Sequence, residues 1–520
     1  MTAYQTFQDR VAQVNDVLNA VSILQWDQRT MMPSGGIETR SKQISTLVGV
    51  ARDLLLADET KRAVEAAAKE VAGLPEDAAE RRAVAQTEAA IAFHSRVPAK
   101  LQKRRAELKS AANALWIEAR AKSDFAMFRP VLEEVVDLSR AYADAIGYAD
   151  HPYDALMSIY EPGETIASLK KLFAELRAGI KPILGTVLAA KEPRADFLER
   201  TFPKERQHAF ALKISEIVGY DLKRGRLDDT VHPFEISFTR NDVRITTRFY
   251  ENYLPPSLFG ALHEAGHGIY EQGVDPAYTR TTLATDLVGY YAVGGVSFGA
   301  HESQSRLYEN HVGRGRAFWR LHFDTLRAAF PGTLDDVDAL IATRRAEADE
   351  FYRAVYRARP GFIRGEADDL TYDAHIMLRV ELESQMIDGS LAVKDLPEAW
   401  NAIIARDLGL KVPNDRLGVL QDIHWSTCQI GTFCNYTIGN VMAAQLFETM
   451  NATRPDIRAS LESGDYAPLK TWLGDAIHRH GRRFTRDELL VKSTGRTLDA
   501  KPYIAYLKGK AEDVYGVKVG

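Results

Sequence analysis

The spacing of apolar residues constrains this chain most, because such residues recur every three or four positions through most of its 520 residues. One face of this kind, from Phe7 to Trp26, predicts a helix near the N-terminus. Pro and Gly positions separate further segments with the same period, which are 83–93, 101–122, 125–146, 166–191 and 207–218. The chain is therefore predicted to be mainly helical.

One interval has a different period. Apolar and polar residues alternate over 234–238 and again over 243–247, on either side of a polar turn. A period of two around a turn predicts a β-hairpin. The sequence shows neither an internal repeat nor a long Gly/Ser linker, which favours a single domain over 1–520.

Composition narrows the class of protein. The 66 basic and 71 acidic residues give a net charge of -5, which provides no field that favours nucleic acid or an anionic membrane as partner. The two cysteines, Cys428 and Cys434, are too few for a disulfide framework. Neither a secretory signal nor a membrane-spanning apolar segment is recognisable. A cytoplasmic protein without a nucleic-acid or membrane partner is expected.

A helix with metal-binding character is predicted after the hairpin, over 258–272, with Ser257 as its N-cap. It contains His263, Glu264 and His267 in the pattern His-Glu-x-x-His. Two histidines four residues apart project from the same helical face and can hold one metal ion, and the glutamate can polarise a water molecule. The alternative interpretation is an ordinary amphipathic helix.

A catalytic zinc site needs a third protein ligand and one open position. Glu302, which follows His267 by 35 residues, is the candidate, and a second helix with a glutamate ligand is typical of gluzincins. His301 competes, but neighbours on a helix diverge by about 100° and a carboxylate is the commoner third ligand. Zinc is the expected ion, although cobalt or manganese suits the same ligands. Such a site would hydrolyse an amide, with Glu264 as general base.

An arginine is the expected anchor if the enzyme recognises a free C-terminal carboxylate, because the guanidinium binds carboxylates in a bidentate way. Candidates are Arg244, Arg280, Arg306 and Arg364. Each arginine taken alone is more commonly a surface or ion-pair residue.

Several unusual strings resemble the Taq-type metallocarboxypeptidases, the carboxypeptidase Taq family. In chain order they are Trp26-Asp27-Gln28, Met32-Pro33, His232-Pro233-Phe234, Asp242-Val243-Arg244-Ile245-Thr246, the metal helix, His301-Glu302-Ser303-Gln304, Ile363-Arg364-Gly365-Glu366-Ala367-Asp368 and Gly418-Val419-Leu420-Gln421-Asp422-Ile423-His424-Trp425. The resemblance covers nearly the whole chain.

This resemblance implies an all-α, neurolysin-like fold with two lobes around a deep groove and a small β-sheet beside the metal helix. It also implies a homodimer that removes C-terminal residues from peptides with broad specificity. By motif, Glu302 becomes the third metal ligand and Arg364 the first choice for the carboxylate anchor.

The hairpin contributes further substrate-binding candidates, His232, Asp242 and Arg244. An exposed strand with Arg244 and Thr246 would be able to pair with an extended peptide. The alternative for Asp242 and Arg244 is a structural ion pair.

The segment 431–440 is a few residues shorter than its counterpart in the family. Tyr436 aligns with a family tyrosine there, and its hydroxyl is a candidate donor to the oxyanion of the transition state. His424 is a candidate substrate contact, or else a structural histidine held by Trp425. Two alternatives to a carboxypeptidase stay open at this point, a zinc endo-oligopeptidase and a catalytically silent helical scaffold.

Overall fold

Helices make up most of the computed structural model, which describes residues 1–337 and 349–520, and the prediction of a mainly helical fold is confirmed. In chain order, the α-helices of the described residues are α1 (Ala3–Thr30), α2 (Ile37–Leu56), α3 (Asp58–Val71), α4 (Ala79–Arg96), α5 (Ala99–Lys122), α6 (Phe125–Ile146), α7 (Pro152–Met157), α8 (Ile166–Ala189), α9 (Lys204–Ile217), α10 (Pro255–Gly273), α11 (Phe298–Arg306), α12 (Arg316–Ala329), α13 (Glu350–Val355), α14 (Tyr372–Asp388), α15 (Leu396–Leu408), α16 (Cys434–Thr453), α17 (Pro455–Ser463), α18 (Ala467–Ala476), α19 (Arg486–Thr494) and α20 (Lys501–Tyr515). No helix in the described ranges combines the length and apolar character that a membrane crossing requires.

The chain forms two compact units, each built from three separate stretches of sequence. Unit 1 comprises Met1–His94, Pro193–Tyr356 and Met442–Leu498. Unit 2 comprises Ser95–Glu192, Arg357–Val441 and Asp499–Gly520. The expectation that 1–520 acts as a single catalytic domain stays a prediction.

Unit 1 contains a three-stranded sheet of β1 (Gly225–Asp229), β2 (Glu235–Thr239) and β3 (Asp242–Thr247), in the order β1-β3-β2. Strands β2 and β3 pair antiparallel, which confirms the predicted hairpin, while β1 pairs parallel to β3. Because β3 is hydrogen-bonded on both edges, it has no edge to offer to a peptide. The interpretation of β3 as an exposed strand that pairs with substrate is therefore wrong.

The metal helix α10 packs on this sheet. Val243 and Ile245 of β3 are fully buried, and the Thr247 hydroxyl donates a hydrogen bond to the Ser257 carbonyl oxygen at 3.2 Å. Helix α10 begins at Pro255. Proline suits this position because the N–H groups of the first turn have no partner within the helix, so the missing N–H costs no helical hydrogen bond. Ser257 lies inside the helix and donates to Gln207 Oε1 at 2.5 Å, so its predicted role as N-cap is wrong.

Unit 2 is helical, with α14 at its centre. Asp373 on α14 is buried and accepts hydrogen bonds from the Thr437 hydroxyl at 2.6 Å and the Tyr503 hydroxyl at 2.7 Å. Cys428 and Cys434 are both buried free thiols, as the absence of a disulfide framework predicts. The interior of this unit is thus fixed by hydrogen bonds between helices as well as by apolar packing.

Candidate metal centre

The crossing of α10 and α11 creates the candidate metal centre in unit 1. A Cβ atom on Gly266 would lie only 2.5 Å from the Gln304 carbonyl oxygen and 2.7 Å from Ser305 Cα, so only glycine permits this close approach. Helix α11 is started by Ser297, whose hydroxyl accepts a hydrogen bond from the Ala300 N–H at 3.1 Å. The close crossing brings the residue two positions before Gln304 against the histidine face of α10.

That residue is Glu302, and it meets both histidines. Its Oε2 atom lies 3.5 Å from His263 Nε2 and 3.3 Å from His267 Nε2. Potential ligand atoms of the three side chains all lie within 4.8 Å of one another, and no other such group occurs among the residues that the structure describes. Two imidazoles and one carboxylate suit a divalent transition metal, and zinc in particular.

His263 has a second partner at its other ring nitrogen. Glu309 Oε2 lies 2.9 Å from His263 Nδ1, and Arg314 Nη2 donates to Glu309 Oε1 at 2.8 Å. Glu309 lies on a π-helical turn, Leu307–Gly313, that continues α11. A partner at Nδ1 orients a metal-binding imidazole so that Nε2 faces the ion, as it faces Glu302 here. The residues behind His263, as well as the three candidate ligands, therefore suit a metal site.

His267 is supported through a second histidine rather than through a carboxylate. Its Nδ1 atom lies 2.5 Å from His301 Nδ1, and His301 Nε2 lies 3.0 Å from Glu271 Oε1. Glu271 in turn accepts hydrogen bonds from the N–H groups of Gly294 and Gly295, both at 2.9 Å. His301 thus lies beside the three-residue group, with its Nδ1 atom against His267.

Burial and nearby charges set the protonation of these groups without a metal. Burial lowers the pKa of His267 to about 3, whereas Glu302 and Glu309 outweigh burial at His263 and raise its pKa to about 10. For Glu302, Arg306 and His263 outweigh burial and hold the pKa well below its ordinary value. A metal ion binds neutral imidazole, so its binding at this site would displace the proton of His263.

Glu264 differs from the other carboxylates of the site. It is buried, yet none of the residues that the structure describes donates a hydrogen bond to it. Burial raises its pKa to about 7, and His263 only partly opposes this shift. A carboxyl group with a pKa near neutrality is suited to accept and return a proton.

Asp242 and Arg244 form the ion pair that was the alternative to substrate contact. Arg244 Nε and Nη2 donate to the two Asp242 oxygens, both at 2.9 Å. The guanidinium also stacks on the rings of Trp26, at 4.4 Å, and Phe238, at 4.6 Å. His232 is exposed beside the start of β2.

Two further arginine candidates are also engaged within unit 1. Arg280 pairs with Asp16 at 2.5 Å. Arg306 Nε donates to Glu302 Oε1 at 2.7 Å, so this guanidinium holds a proposed metal ligand.

Arg364 lies in unit 2, where it is buried against Asp422. Its Nε and Nη2 atoms donate to Asp422 Oδ1 at 3.1 and 3.0 Å, and Nη1 donates to the Tyr372 hydroxyl at 3.0 Å. A second arginine, Arg379, donates from Nε to Asp422 Oδ2 at 2.5 Å. Burial favours the protonated, neutral form of Asp422, but Arg364 and Arg379 hold its pKa well below the ordinary value.

Tyr436 and His424 adjoin this arginine cluster. The Tyr436 hydroxyl lies 3.5 Å from His424 Nε2, and its ring centroid lies 5.0 Å from Arg364 Cζ. The Trp425 indole N–H donates to Glu383 Oε1 at 2.7 Å. The shortened segment 431–440 leads directly into α16, and Tyr436 lies in the first turn of that helix.

The supporting residues Glu309, Glu271, Asp422 and Arg379 were not predicted from the sequence. Glu309 follows Glu302 by seven residues, two helical turns, which was an available signal for a position on the same face. Asp422 stood inside a recognised motif without an assigned role. Nothing local in the sequence marks Arg379 or Glu271, because their partners lie far away along the chain.

Comparison with known proteins gives one consistent result. The family profile of the carboxypeptidase Taq (M32) metallopeptidases matches residues 6–511. Carboxypeptidase 1 of Bacillus subtilis (strain 168) is 36% identical over 515 residues, which cover 99% of each chain. Thermostable carboxypeptidase 1 of Thermus thermophilus is 36% identical over 528 residues, again 99% of each.

A solved structure agrees with the sequence relatives. The crystal structure of the M32 carboxypeptidase from Deinococcus radiodurans R1 superposes with a TM-score of 0.92 and 39% identity. The match covers 99% of this chain and 100% of that one. The similarity therefore extends over the full length in both sequence and fold.

Proposed function

Because this chain belongs to the carboxypeptidase Taq (M32) family and is a metallocarboxypeptidase, we propose that it removes C-terminal residues from peptides by means of one zinc ion. In this proposal His263, His267 and Glu302 hold the ion and Glu264 is the general base. The observation that carries it is the approach of Glu302 Oε2 to both imidazole Nε2 atoms, at 3.5 and 3.3 Å.

The residues around the ion divide the work of hydrolysis. When bound, zinc would polarise the scissile carbonyl and make water more acidic. Glu264 takes a proton from the attacking water and returns it to the departing amine, for which its pKa of about 7 is suited. Glu309 and His301 hold the two imidazoles in the orientation that binding needs.

Arg364 is the proposed anchor for the substrate's terminal carboxylate. Its bonds to Asp422 and Tyr372 use three of the five N–H groups of a guanidinium, which leaves one on each terminal nitrogen without a partner among the described residues. Arg364 and Arg379 share the single carboxylate of Asp422, so these three side chains carry one surplus positive charge. A buried surplus charge favours the binding of an anion.

The remaining site residues have proposed roles in substrate binding. Tyr436 is proposed to donate its hydroxyl to the developing oxyanion, and His424, 3.5 Å away, to contact the substrate. His232, Asp242 and Arg244 are proposed substrate contacts beside the metal helix. Since Asp242 already binds Arg244 on two atoms, that pair would act as a unit.

The proposal also includes four broader properties, which are zinc rather than cobalt or manganese, broad tolerance of substrate side chains, a homodimeric assembly and a cytoplasmic location. The ligand set supports zinc, since two imidazoles and one carboxylate recur at catalytic zinc sites. The assembly and location derive from the sequence expectations alone.

The test compares one peptide as its free acid and as its C-terminal amide, with the metal removed by a chelator and then restored. We expect hydrolysis of the free acid only, loss of activity in chelator, and recovery with one equivalent of zinc. Equal cleavage of the acid and the amide would instead indicate an endo-oligopeptidase. Hydrolysis that persists in the metal-free protein would refute the metal-dependent mechanism.

A further inference from the structure

Arg29, in the last turn of α1, is a cation that forms no ion pair with a carboxylate of the described residues. Its guanidinium carbon lies 3.4 Å from the centroid of the Phe234 ring, and Nη2 lies 3.5 Å from the His232 carbonyl oxygen. The closest acidic residue along the chain, Asp27, binds Arg40 instead, at 2.6 Å. Stacking on a ring holds a guanidinium in place while its edge stays available to an anion.

The ring that supports Arg29 is itself firmly held. The Phe234 N–H donates to the Thr246 hydroxyl oxygen at 2.8 Å, and that hydroxyl donates back to the Phe234 carbonyl at 3.0 Å. The next residue, Glu235, lies 4.0 Å from His301 Nε2, beside the metal centre. Arg29 therefore stacks on a fixed ring, Phe234, and the next residue after that ring, Glu235, lies beside the metal centre.

Arg29 also lies near the proposed general base. A Cβ atom on Gly260 would lie 3.9 Å from Pro233 Cγ, so the segment that supports Arg29 passes over the face of α10 that carries Gly260 and, one turn later, Glu264. Burial lowers the pKa of Arg29 to about 10, and the Glu264 carboxylate opposes that shift. The two opposite charges are thus close enough to influence each other.

The position of Arg29 suits a ligand better than it suits a purely structural role. A cation in the last helical turn gains from the helix dipole, but that gain requires no aromatic platform and no proximity to Glu264. Part of Arg29 stays in contact with solvent although the surrounding protein desolvates its guanidinium, so a substrate can reach it. We propose that Arg29 is a specificity-determining residue that binds a carboxylate of the peptide substrate, either the terminal carboxylate or an acidic side chain near the scissile bond. This inference rests on the proposed peptidase function.

The experiment uses the full-length zinc enzyme with Arg29→Gln, Arg29→Lys and a matched control, Arg248→Gln. Arg248 is a suitable control because it also stacks on an aromatic ring, Tyr250 at 4.5 Å, and also donates to a carbonyl of the same segment, Val231 at 3.1 Å. N-blocked peptides would carry neutral side chains only, or Glu in place of Gln at the last or the preceding residue. Melting temperatures establish that each variant is folded.

Two results support the inference and identify the source of the carboxylate. If Arg29 binds the terminal carboxylate, Arg29→Gln raises KM for every peptide by the same factor, about 10- to 100-fold. If it binds an acidic side chain, only the preference for Glu over Gln is lost, by a similar factor. Arg29→Lys should retain part of either effect. Identical kinetics for Arg29→Gln and Arg248→Gln with all peptides would overturn the inference.

A binding measurement separates this inference from the proposed function. In a Glu264→Gln background, fluorescence anisotropy of a labelled free-acid peptide reports binding without hydrolysis. Weaker binding with Arg29→Gln, but not with Arg248→Gln, supports the inference even if the wild-type enzyme hydrolyses no free-acid peptide. Unchanged binding in both variants would contradict it while leaving the peptidase activity intact.

Discussion

Glu264 in unit 1 and Asp422 in unit 2 are carboxyl groups whose surroundings favour opposite protonation states. At Glu264 burial raises the pKa to about 7, and none of the described residues bonds to the carboxyl. Burial would raise the pKa of Asp422 as well, but Arg364 and Arg379 hold it well below its ordinary range. One group can exchange a proton near neutral pH, whereas the other is a fixed charge. This difference supports the proposed general-base role of Glu264 and indicates that the arginine cluster supplies constant positive charge.

Replacing Glu264 should have the largest effect on catalysis. Glu264→Gln keeps the size of the side chain but removes the base, so we expect kcat to fall by about 10²- to 10⁴-fold. Metal content, measured by atomic emission after dialysis, should stay at one zinc per chain. A variant with kcat within tenfold of the wild type would remove the distinction between the two carboxyl groups.

Replacing Asp422 should instead act on stability. Asp422→Ala leaves two buried arginines without their carboxylate, which should lower the free energy of unfolding by about 3–5 kcal/mol. Asp422→Asn serves as the milder comparison, since it retains an oxygen that can accept a hydrogen bond. Urea unfolding measures the difference, and a loss below about 1 kcal/mol would show that the cluster is not held by this charge.

Replacing Arg364 tests whether the surplus positive charge of the arginine cluster binds the substrate's carboxylate. Arg364→Gln should raise KM for free-acid peptides about 100-fold, because a bidentate, charge-assisted contact is lost. Its kcat should change much less. Arg406→Gln is a suitable control, since that arginine pairs with Glu381 and Asp407 in the same unit. An unchanged KM would assign the anchor role to a different cation.

Glu309 should give the smallest of these effects. Glu309→Gln weakens the support at His263 Nδ1, and loss of such a partner typically lowers metal affinity by about 10- to 100-fold. Competition with a zinc-sensitive dye measures this affinity directly. Zinc affinity equal to that of the wild type would mean that the imidazole is oriented by its helix alone.

Local patterns in the sequence predicted the elements of the fold that local forces determine. The helical periods located α1, α5, α6 and α8, and alternation located the β2–β3 hairpin. Strand β1 was missed because Gly225–Asp229 has a single apolar residue, Leu227, and is held by its pairing with β3. For the same reason the sequence could not reveal that β3 is central.

The site shows the same division between local and long-range information. The spacing of His263 and His267 on one helix predicted their convergence, and the need for a third ligand pointed to Glu302, which the family motif then supported. The supports of the site depend on long-range contacts, such as Arg364 to Asp422, which are 58 residues apart. Gly266 is an exception to this rule, because it is a residue inside the metal motif itself that permits a long-range contact, the close crossing of α10 and α11.

Anomalous diffraction at the zinc absorption edge from crystals of the zinc-loaded protein would test the central claim most directly. We predict one peak per chain, about 2.0–2.2 Å from His263 Nε2, His267 Nε2 and a Glu302 oxygen. A zinc-loaded crystal with no peak at these three atoms, or with the ion held by other side chains, would contradict the account.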